Sequence, residues 1–282
     1  ILGYNSFYSF AANHLEYYVD RTGRRTGRID RTHNTPYLAA KMAPYVYQIT
    51  KDECLTLPAK LYESHYVSAT ISQQLAYEQA KEEILNPIMA EAELDFDENG
   101  EIIERPIKRG SDISDLAILR LFTTLQSIAC GYWKGERLDS NRVIGVVQVC
   151  ERLPANEKVV IWAKYRLAVE DIVHALGAVY GADSVQQFHG GLTAAGKEAE
   201  LAKWRESGRF LVATQASGGH GLMLVEASTA IFFANSFKYA ERIQAEDRIH
   251  RIGQDRPCTY VNICTRLSID KRIEEALSGK KN

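Results

Sequence analysis

Val159-Val160-Ile161-Trp162 is a continuous run of apolar and aromatic side chains. Successive strand residues point to opposite faces, so a sheet with one wet face asks for alternation. An unbroken apolar run suits a strand buried on both faces, as in parallel sheets covered by helices. Two further runs of this kind follow, Phe210-Leu211-Val212-Ala213 and Ala230-Ile231-Phe232-Phe233-Ala234. Around them the pattern predicts helices over 143–152, 167–176 and 193–206, strands at 185–188 and 259–264, and a closing helix over 269–277. Repeated β-α-β units make the class α/β, a parallel, doubly wound sheet with helices on both faces. Ligands of such sheets bind beyond the C-terminal ends of the strands.

The earlier part of the chain reads differently, as a mainly helical segment. Ile71, Leu75, Tyr77, Ala80 and Ile84 mark an amphipathic helix over 68–85, and Ile113, Leu116, Leu119, Leu121, Leu125 and Ile128 mark another over 112–129. The acidic stretch 91–104, with Asn99-Gly100 as its turn, reads as an exposed hairpin or loop. A soft boundary near 110–140 divides the chain into residues 1–140 and 141–282. Residues 49–60 predict a short strand leading into a turn at Pro58. No apolar strand runs up to Asp52-Glu53, which argues against a metal-binding acidic box there. Residues 21–31 hold five arginines and two glycines, a flexible basic loop in which Arg24 and Arg25 are candidates for phosphate contact. A solvated hairpin tip, neutralised by Asp20 and Asp30, explains the same residues equally well.

Composition sets outer limits. The 282 residues are 45% hydrophobic and 25% charged, as expected of a globular chain with a real core. No apolar run approaches the roughly 20 residues of a membrane helix, and no secretory signal is visible. The opening Ile1-Leu2-Gly3, without methionine, suggests a piece excised from a longer protein. Five cysteines are scattered without a Cys-x-x-Cys pair, which reads as reduced, buried thiols and no metal site. A net charge of −2 exerts no overall pull on nucleic acid, so any such contact must be local.

Two stretches carry chemistry. Gln244-Ala245-Glu246-Asp247-Arg248-Ile249-His250-Arg251-Ile252-Gly253-Gln254 predicts a helix on which Gln244, Arg248 and Arg251 form one row. Gly253 suits its left-handed cap and Pro257 follows. Planar, permanently charged forks in a row suit phosphate oxygens. The plain alternative is a solvated helix whose Glu246 and Asp247 pair with the arginines. The second stretch, Thr214-Gln215-Ala216-Ser217-Gly218-Gly219-His220-Gly221, follows a buried strand with three glycines in four positions. Such a loop lets backbone amides approach a ligand closely.

Gln-x-x-Asp-Arg followed by His-Arg-Ile-Gly-Gln resembles the last motif of the Swi/Snf-type ATP-dependent DNA translocases of helicase superfamily 2. The glycine stretch resembles that family's Ser-Thr-x-Ala-Gly-Gly-x-Gly motif, with Ala216 where an arginine or lysine is common and Met223 where an asparagine is common. Trp162-Ala163-Lys164-Tyr165, His189-Gly190-Gly191-Leu192-Thr193 and Ser268-Ile269-Asp270 resemble further family segments. Asn235-Ser236 occupies the place of the family's Trp-Asn-Pro, without its Trp or Pro. The resemblance is tight over 140–282 and looser before. It implies a RecA-like C-terminal helicase lobe at 141–282, preceded by an inter-lobe or protrusion region. By resemblance Arg248 and Arg251 are arginine fingers and Gln244 orders that geometry. Gly219, Gly221 and Asp247 would face ATP or the opposing lobe. Lys164, Thr214, Gln215, Ser217 and Gly218 would contact DNA phosphates.

A complete motor also needs a Gly-x-x-x-x-Gly-Lys-Ser/Thr loop and an acidic box for Mg²⁺, and neither occurs in this chain. The expectation is therefore one motor lobe, with ATP and Mg²⁺ held mainly by an N-terminal RecA-like lobe of the same protein preceding Ile1. The partners implied are that lobe and the phosphate backbone of double-stranded DNA, with no membrane. The location implied is cytoplasmic (bacterial, phage or nucleoid-associated) or nuclear, not secreted. A non-hydrolysing DNA- or protein-binding module and a strand-separating superfamily 2 helicase remain the alternatives.

Overall fold

All the apolar runs pair into one parallel sheet in the computed structural model, which describes residues 2–19, 23–47, 49, 51–92, 95–96, 102–103, 115–217, 221–235 and 238–278. The chain forms two compact units, Ile1–Thr56 and Leu57–Asn282. The boundary read near 140 falls inside the second of these.

The first unit comprises α1 (Phe7–His14), β1 (Leu15–Val19), β2 (Arg25–Thr32), α2 (Thr35–Met42) and the single turn α3 (Lys51–Cys54). Ser6 caps α1, its hydroxyl accepting from Ser9 N at 3.2 Å, as N-cap serines do. The basic stretch is thus mostly strand rather than flexible loop. β2 pairs antiparallel with β1, Leu15 opposite Thr32 and Val19 opposite Arg25. Thr26 also donates to Tyr18 O at 2.9 Å. Ile29 of β2 stands opposite Tyr17 of β1 and Thr32 opposite Leu15, β-branched residues against bulky ones, which favours pairing over an open loop. Arg25 opens β2 and Arg24 precedes it, both exposed. Arg21 and Asp20 lie outside the described residues. The strand expected over 49–60 is also corrected: Lys51–Cys54 is one helical turn, and the strand starts only after Pro58.

The second unit begins with β3 (Lys60–Val67) and α4 (Ile71–Ala92). A small hairpin of β4 (Asp95–Phe96) and β5 (Ile102–Ile103) follows, and its Asn99-Gly100 turn lies outside the described residues. Next come α5 (Asp115–Ala129), the hairpin of β6 (Tyr132–Trp133) and β7 (Glu136–Arg137), α6 (Arg142–Glu151), β8 (Val159–Ala163) and α7 (Arg166–Tyr180). The chain continues through β9 (Val185–Phe188), α8 (Ala194–Glu206), β10 (Phe210–Thr214), β11 (Thr229–Phe232), α9 (Tyr239–Glu246), β12 (Cys258–Thr265) and α10 (Ser268–Ser278). The sheet order is β3-β12-β11-β8-β10-β9, parallel throughout.

β8 shows why its apolar run was needed. Val159, Ile161 and Ala163 pack into a core with α6 and α7, while Val160 and Trp162 pack into a second core with α8 and the segment around α9. Every residue of β8 is buried. A third core joins Tyr77 and Ala80 of α4, Ile128 of α5 and Ile269 and Ile273 of α10. β3 escaped the sequence reading because it is an edge strand, buried fully only at Val67. Half-wet edge strands lack the apolar signature of central ones. α6 lies close to it, since a Cβ on Gly145 would stand 2.7 Å from Val67 Cγ1.

One buried ion pair ties the third core to the sheet. Arg142, 2% exposed, donates to Asp270 Oδ2 at 2.7 Å, Phe233 O at 2.7 Å and Thr265 Oγ1 at 3.1 Å. Asp270 Oδ2 also accepts from Thr265 N at 2.8 Å. Burial opposes the guanidinium charge, but the Asp270 carboxylate overrides it and holds the Arg142 pKa above its ordinary value.

Candidate functional site

The C-terminal ends of β8, β10 and β11 place their turns side by side. Gln215 N donates to Ala163 O at 3.2 Å, and Phe233 N donates to Trp162 O at 2.9 Å. Lys164 follows β8 directly, so it adjoins the turn carrying Thr214, Gln215 and Ser217. Thr214 closes that turn by donating to Ser217 Oγ at 2.8 Å. Gly218 and Gly219 lie outside the described residues. Gly221 has φ +66°, a backbone that favours glycine. Arg24 and Arg25 belong to the other unit.

The segment holding the arginines departs from the sequence reading. α9 ends at Glu246, and Asp247–Gln254 continues as successive turns rather than as helix to Gly253. Gln244, exposed, therefore shares no helical row with Arg248 and Arg251, which are half-buried beyond the helix end. His250 N still donates to Glu246 O at 3.1 Å, and tertiary bonds hold the turns that follow. Gln254 donates its amide to Ile249 O at 3.2 Å, Ala227 O at 2.8 Å and Val225 O at 3.2 Å, and the Tyr260 hydroxyl donates to Glu246 O at 3.2 Å. His250 Nε2 bonds Pro58 O at 2.8 Å. Leu224 N donates to Arg248 O at 2.9 Å, joining this segment to the one after the glycine stretch. Gly253 does adopt the left-handed backbone expected of it, at φ +98°.

Glu246 does not pair with either finger candidate. It is 1% exposed and accepts from Arg242 Nε at 2.8 Å, Lys60 Nζ at 3.1 Å and the Tyr62 hydroxyl at 2.9 Å. Asp247, half-buried, lies 3.8 Å from Lys60 Nζ. Arg242 continues the network, donating to Asn235 Oδ1 at 2.6 Å and Asn262 Oδ1 at 2.6 Å, with its guanidinium 3.5 Å from the Phe232 ring centroid. Burial lowers the Arg242 pKa, partly offset by Glu246. Burial pushes the Arg248 pKa down too, and the neighbouring Arg251 charge adds to the effect. The Asp247 carboxylate beside them works the other way.

Burial alone would raise the Glu246 carboxyl, but Arg242 and then Lys60 override it, and the net position is below its ordinary value of 4.5. A depressed folded-state pKa contributes stability that is complete above the unfolded value and lost as pH falls through the folded one. The urea midpoint of the chain is expected to fall as pH drops below that ordinary value, and Glu246→Gln to flatten part of the slope. Identical pH slopes for both proteins would remove Glu246 from this role.

Residues without a sequence motif complete the edge. Lys164 Nζ donates to Gln126 Oε1 at 2.6 Å, and the Gln126 amide donates to Asn235 O. Gln126, fully buried on α5, thereby connects Lys164 to the Arg242–Glu246 cluster. An ammonium has three protons, so Lys164 keeps donors for a ligand. Its pKa is lowered by burial. The i, i+4 pair Arg242–Glu246 was readable from spacing, whereas Gln126, Lys60 and Tyr62 are brought in from up to 186 residues away. His189 is buried, its Nδ1 accepting from Gly191 N at 3.1 Å, a structural role.

Residues 143–253 match the helicase conserved C-terminal domain family. The lymphoid-specific helicase of Homo sapiens is 39% identical over 72 residues, 26% of this chain and 8% of that protein. The ATP-dependent helicase fft1 of Schizosaccharomyces pombe is 39% identical over 71 residues, 25% of this chain and 7% of that protein. The aligned stretch is thus a small fraction of these relatives' length. Among solved structures, the C-terminal part of the Fun30 ATPase domain superposes with TM-score 0.58 at 17% identity, covering 79% of this chain and 90% of that one. The Sulfolobus solfataricus SWI2/SNF2 ATPase core in complex with dsDNA superposes with TM-score 0.60 at 22% identity, covering 87% of this chain and 50% of that one. Both likenesses are of fold, a RecA-like sheet flanked by helices. Residues 143–253 thus carry a helicase conserved C-terminal domain, in a chain similar over part of its length to ATP-dependent helicases and in fold to parts of the Fun30 and SWI2/SNF2 ATPase domains.

Proposed function

We propose that this lobe serves an ATP-dependent double-stranded DNA translocase, supplying arginine fingers to ATP and phosphate contacts to the duplex. The observation that carries the reading is the paired guanidiniums of Arg248 and Arg251, held beyond the end of α9 by Gln254, His250 and Glu246. The human relative is a helicase and the yeast relative an ATP-dependent helicase, and the archaeal core was solved with dsDNA.

The residues present fit one side of a triphosphate. Arg248 and Arg251 would stabilise charge on the γ-phosphoryl group, Gln244 would order their approach, and Gly219, Gly221 and Asp247 would line the interface with the opposing lobe. The chain has no glycine-lysine phosphate loop, so ATP and Mg²⁺ would rest mainly on an N-terminal lobe. When bound, Mg²⁺ supplies neutralisation of phosphate charge. Lys164, Thr214, Gln215, Ser217, Gly218, Arg24 and Arg25 would hold DNA phosphates without reading bases. In this division residues 141–282 are the motor lobe and 1–140 the inter-lobe region, whose β3 completes the lobe's sheet.

The purified chain is expected to hydrolyse ATP at background rate with or without DNA, while binding duplex with an affinity that falls steeply with salt. DNA-stimulated hydrolysis by the chain alone would overturn the division of labour between lobes. Binding that ignores salt would overturn the phosphate-contact assignment. Strand displacement by the full-length protein would favour a strand-separating helicase instead.

A further inference from the structure

A cavity of about 330 Å³ opens between α5, the β6–β7 hairpin and the turn after β8, lined by Thr124, Ser127, Trp133, Lys134, Lys164 and Tyr165 together with Thr123. That volume is at the small end for ligand sites. Among the described residues its wall combines two ammonium groups, hydroxyls and two aromatic rings, with Glu83 paired to one of the ammonium groups. The buried Tyr165 hydroxyl lies beside the Ser127 hydroxyl on the same wall.

The hairpin is built to present Lys134. Lys134 has φ +51° and Gly135 has φ +85°, so a lysine occupies a left-handed position that asparagine or glycine fills at lower cost. Its ammonium lies 4.4 Å from the Trp133 ring centroid and 3.0 Å from Glu83 Oε1. A two-residue hairpin turn needs positive φ at both central residues, and this one sets Lys134 at the hairpin tip, on the cavity wall. The chemistry of the wall fits an anion attached to a compact ring. The setting favours a polymer over a free small molecule. Lys164 follows Ala163, whose carbonyl accepts from Gln215 N at 3.2 Å, so one wall residue of the cavity is next in the chain to the residue that the Thr214–Ser217 turn bonds.

We propose that this cavity is a subsite for one sugar–phosphate unit of a DNA strand, the phosphate on Lys134, Lys164, Thr124 and Ser127 and the sugar face against Trp133. The proposal rests on the duplex-DNA reading above and extends it to residues no motif marked.

Of the three tryptophans, Trp162 and Trp204 are fully buried and Trp133 is half-buried, so surface ligands report through Trp133. The chain is titrated with a labelled short blunt duplex, following anisotropy and tryptophan emission together, and separately with dAMP at matched phosphate concentration. The expected result is an emission change that saturates with the anisotropy, is absent in Trp133→Phe and is not produced by dAMP. Lys134→Gln and Thr124→Val, both mild at the surface of the fold, are expected to weaken duplex binding roughly fivefold each. Lys134→Gln should also lower the slope of log affinity against log salt by about one. Duplex binding with unchanged emission and unchanged affinity in both variants would overturn the subsite alone. An equal emission change with dAMP would reassign the cavity to free nucleotides and overturn it as well. No duplex binding at all would sink the subsite and the DNA reading together.

Discussion

Arg251→Ala in the full-length protein is expected to lower kcat for DNA-stimulated ATP hydrolysis by about 10³ or more, the usual worth of an arginine finger, with duplex affinity changed less than about twofold. The expectation follows from where the guanidinium is held. Arg251 stands beyond the end of α9, near enough to Arg248 that its charge lowers the Arg248 pKa after burial has already done so. Asp247 offsets part of that charge, and the charge building on a γ-phosphoryl group would offset more. Neither arginine uses Glu246, whose carboxylate is taken by Arg242, Lys60 and Tyr62. Arg251→Lys keeps the charge but loses the planar fork, so its kcat should fall between the two. Turnover at the wild-type rate in Arg251→Ala would take the residue out of the finger role. A large loss of duplex affinity with kcat intact would move it to the DNA contacts.

The largest stability effect is expected at Asp270. Asp270→Ala leaves the Arg142 guanidinium buried with its charge uncompensated, at a cost of about 3–5 kcal/mol, measured as a shift in the urea midpoint at constant slope. Three elements depend on that one carboxylate: it binds Arg142 at the start of α6 and Thr265 N at the end of β12, and itself belongs to α10. Asp270→Asn retains an acceptor but not the charge and should lose less. In the double variant Arg142→Leu/Asp270→Leu the loss should be smaller than for Asp270→Ala, because no buried charge is left alone. Equal losses in the double and single variants would show that shape, and not charge pairing, makes this joint.

Sequence reading succeeded where one residue type answers one requirement. The apolar runs at 159–162, 210–213 and 230–234 could be satisfied only by strands covered on both faces, and each is a central strand. Val185–Phe188 coincides with β9, and Thr193 caps α8 by accepting from Gly196 N at 3.1 Å. It failed where partners come from afar. Residues 244–253 have a helical pattern, yet the helix stops at Glu246 and the turns beyond it are held by Gln254, Tyr260 and Pro58, partners distant in sequence or set by the fold. Arginines in a glycine-containing stretch looked mobile until β1 paired with them.

The amino-acid order is enough for the α/β class, the central strands of the sheet and the identity of the arginine and glycine stretches, because periodicity and motif spacing are local properties of the chain. Only the tertiary structure decided that Lys60–Val67 is the edge strand, that Gln126 bonds Lys164, and that Arg248 and Arg251 sit on turns anchored by Glu246 and Gln254. The reason is physical. A buried carboxylate, amide or ammonium must find its partner wherever the fold places one, and that place is set by packing over the whole chain rather than by its neighbours in sequence.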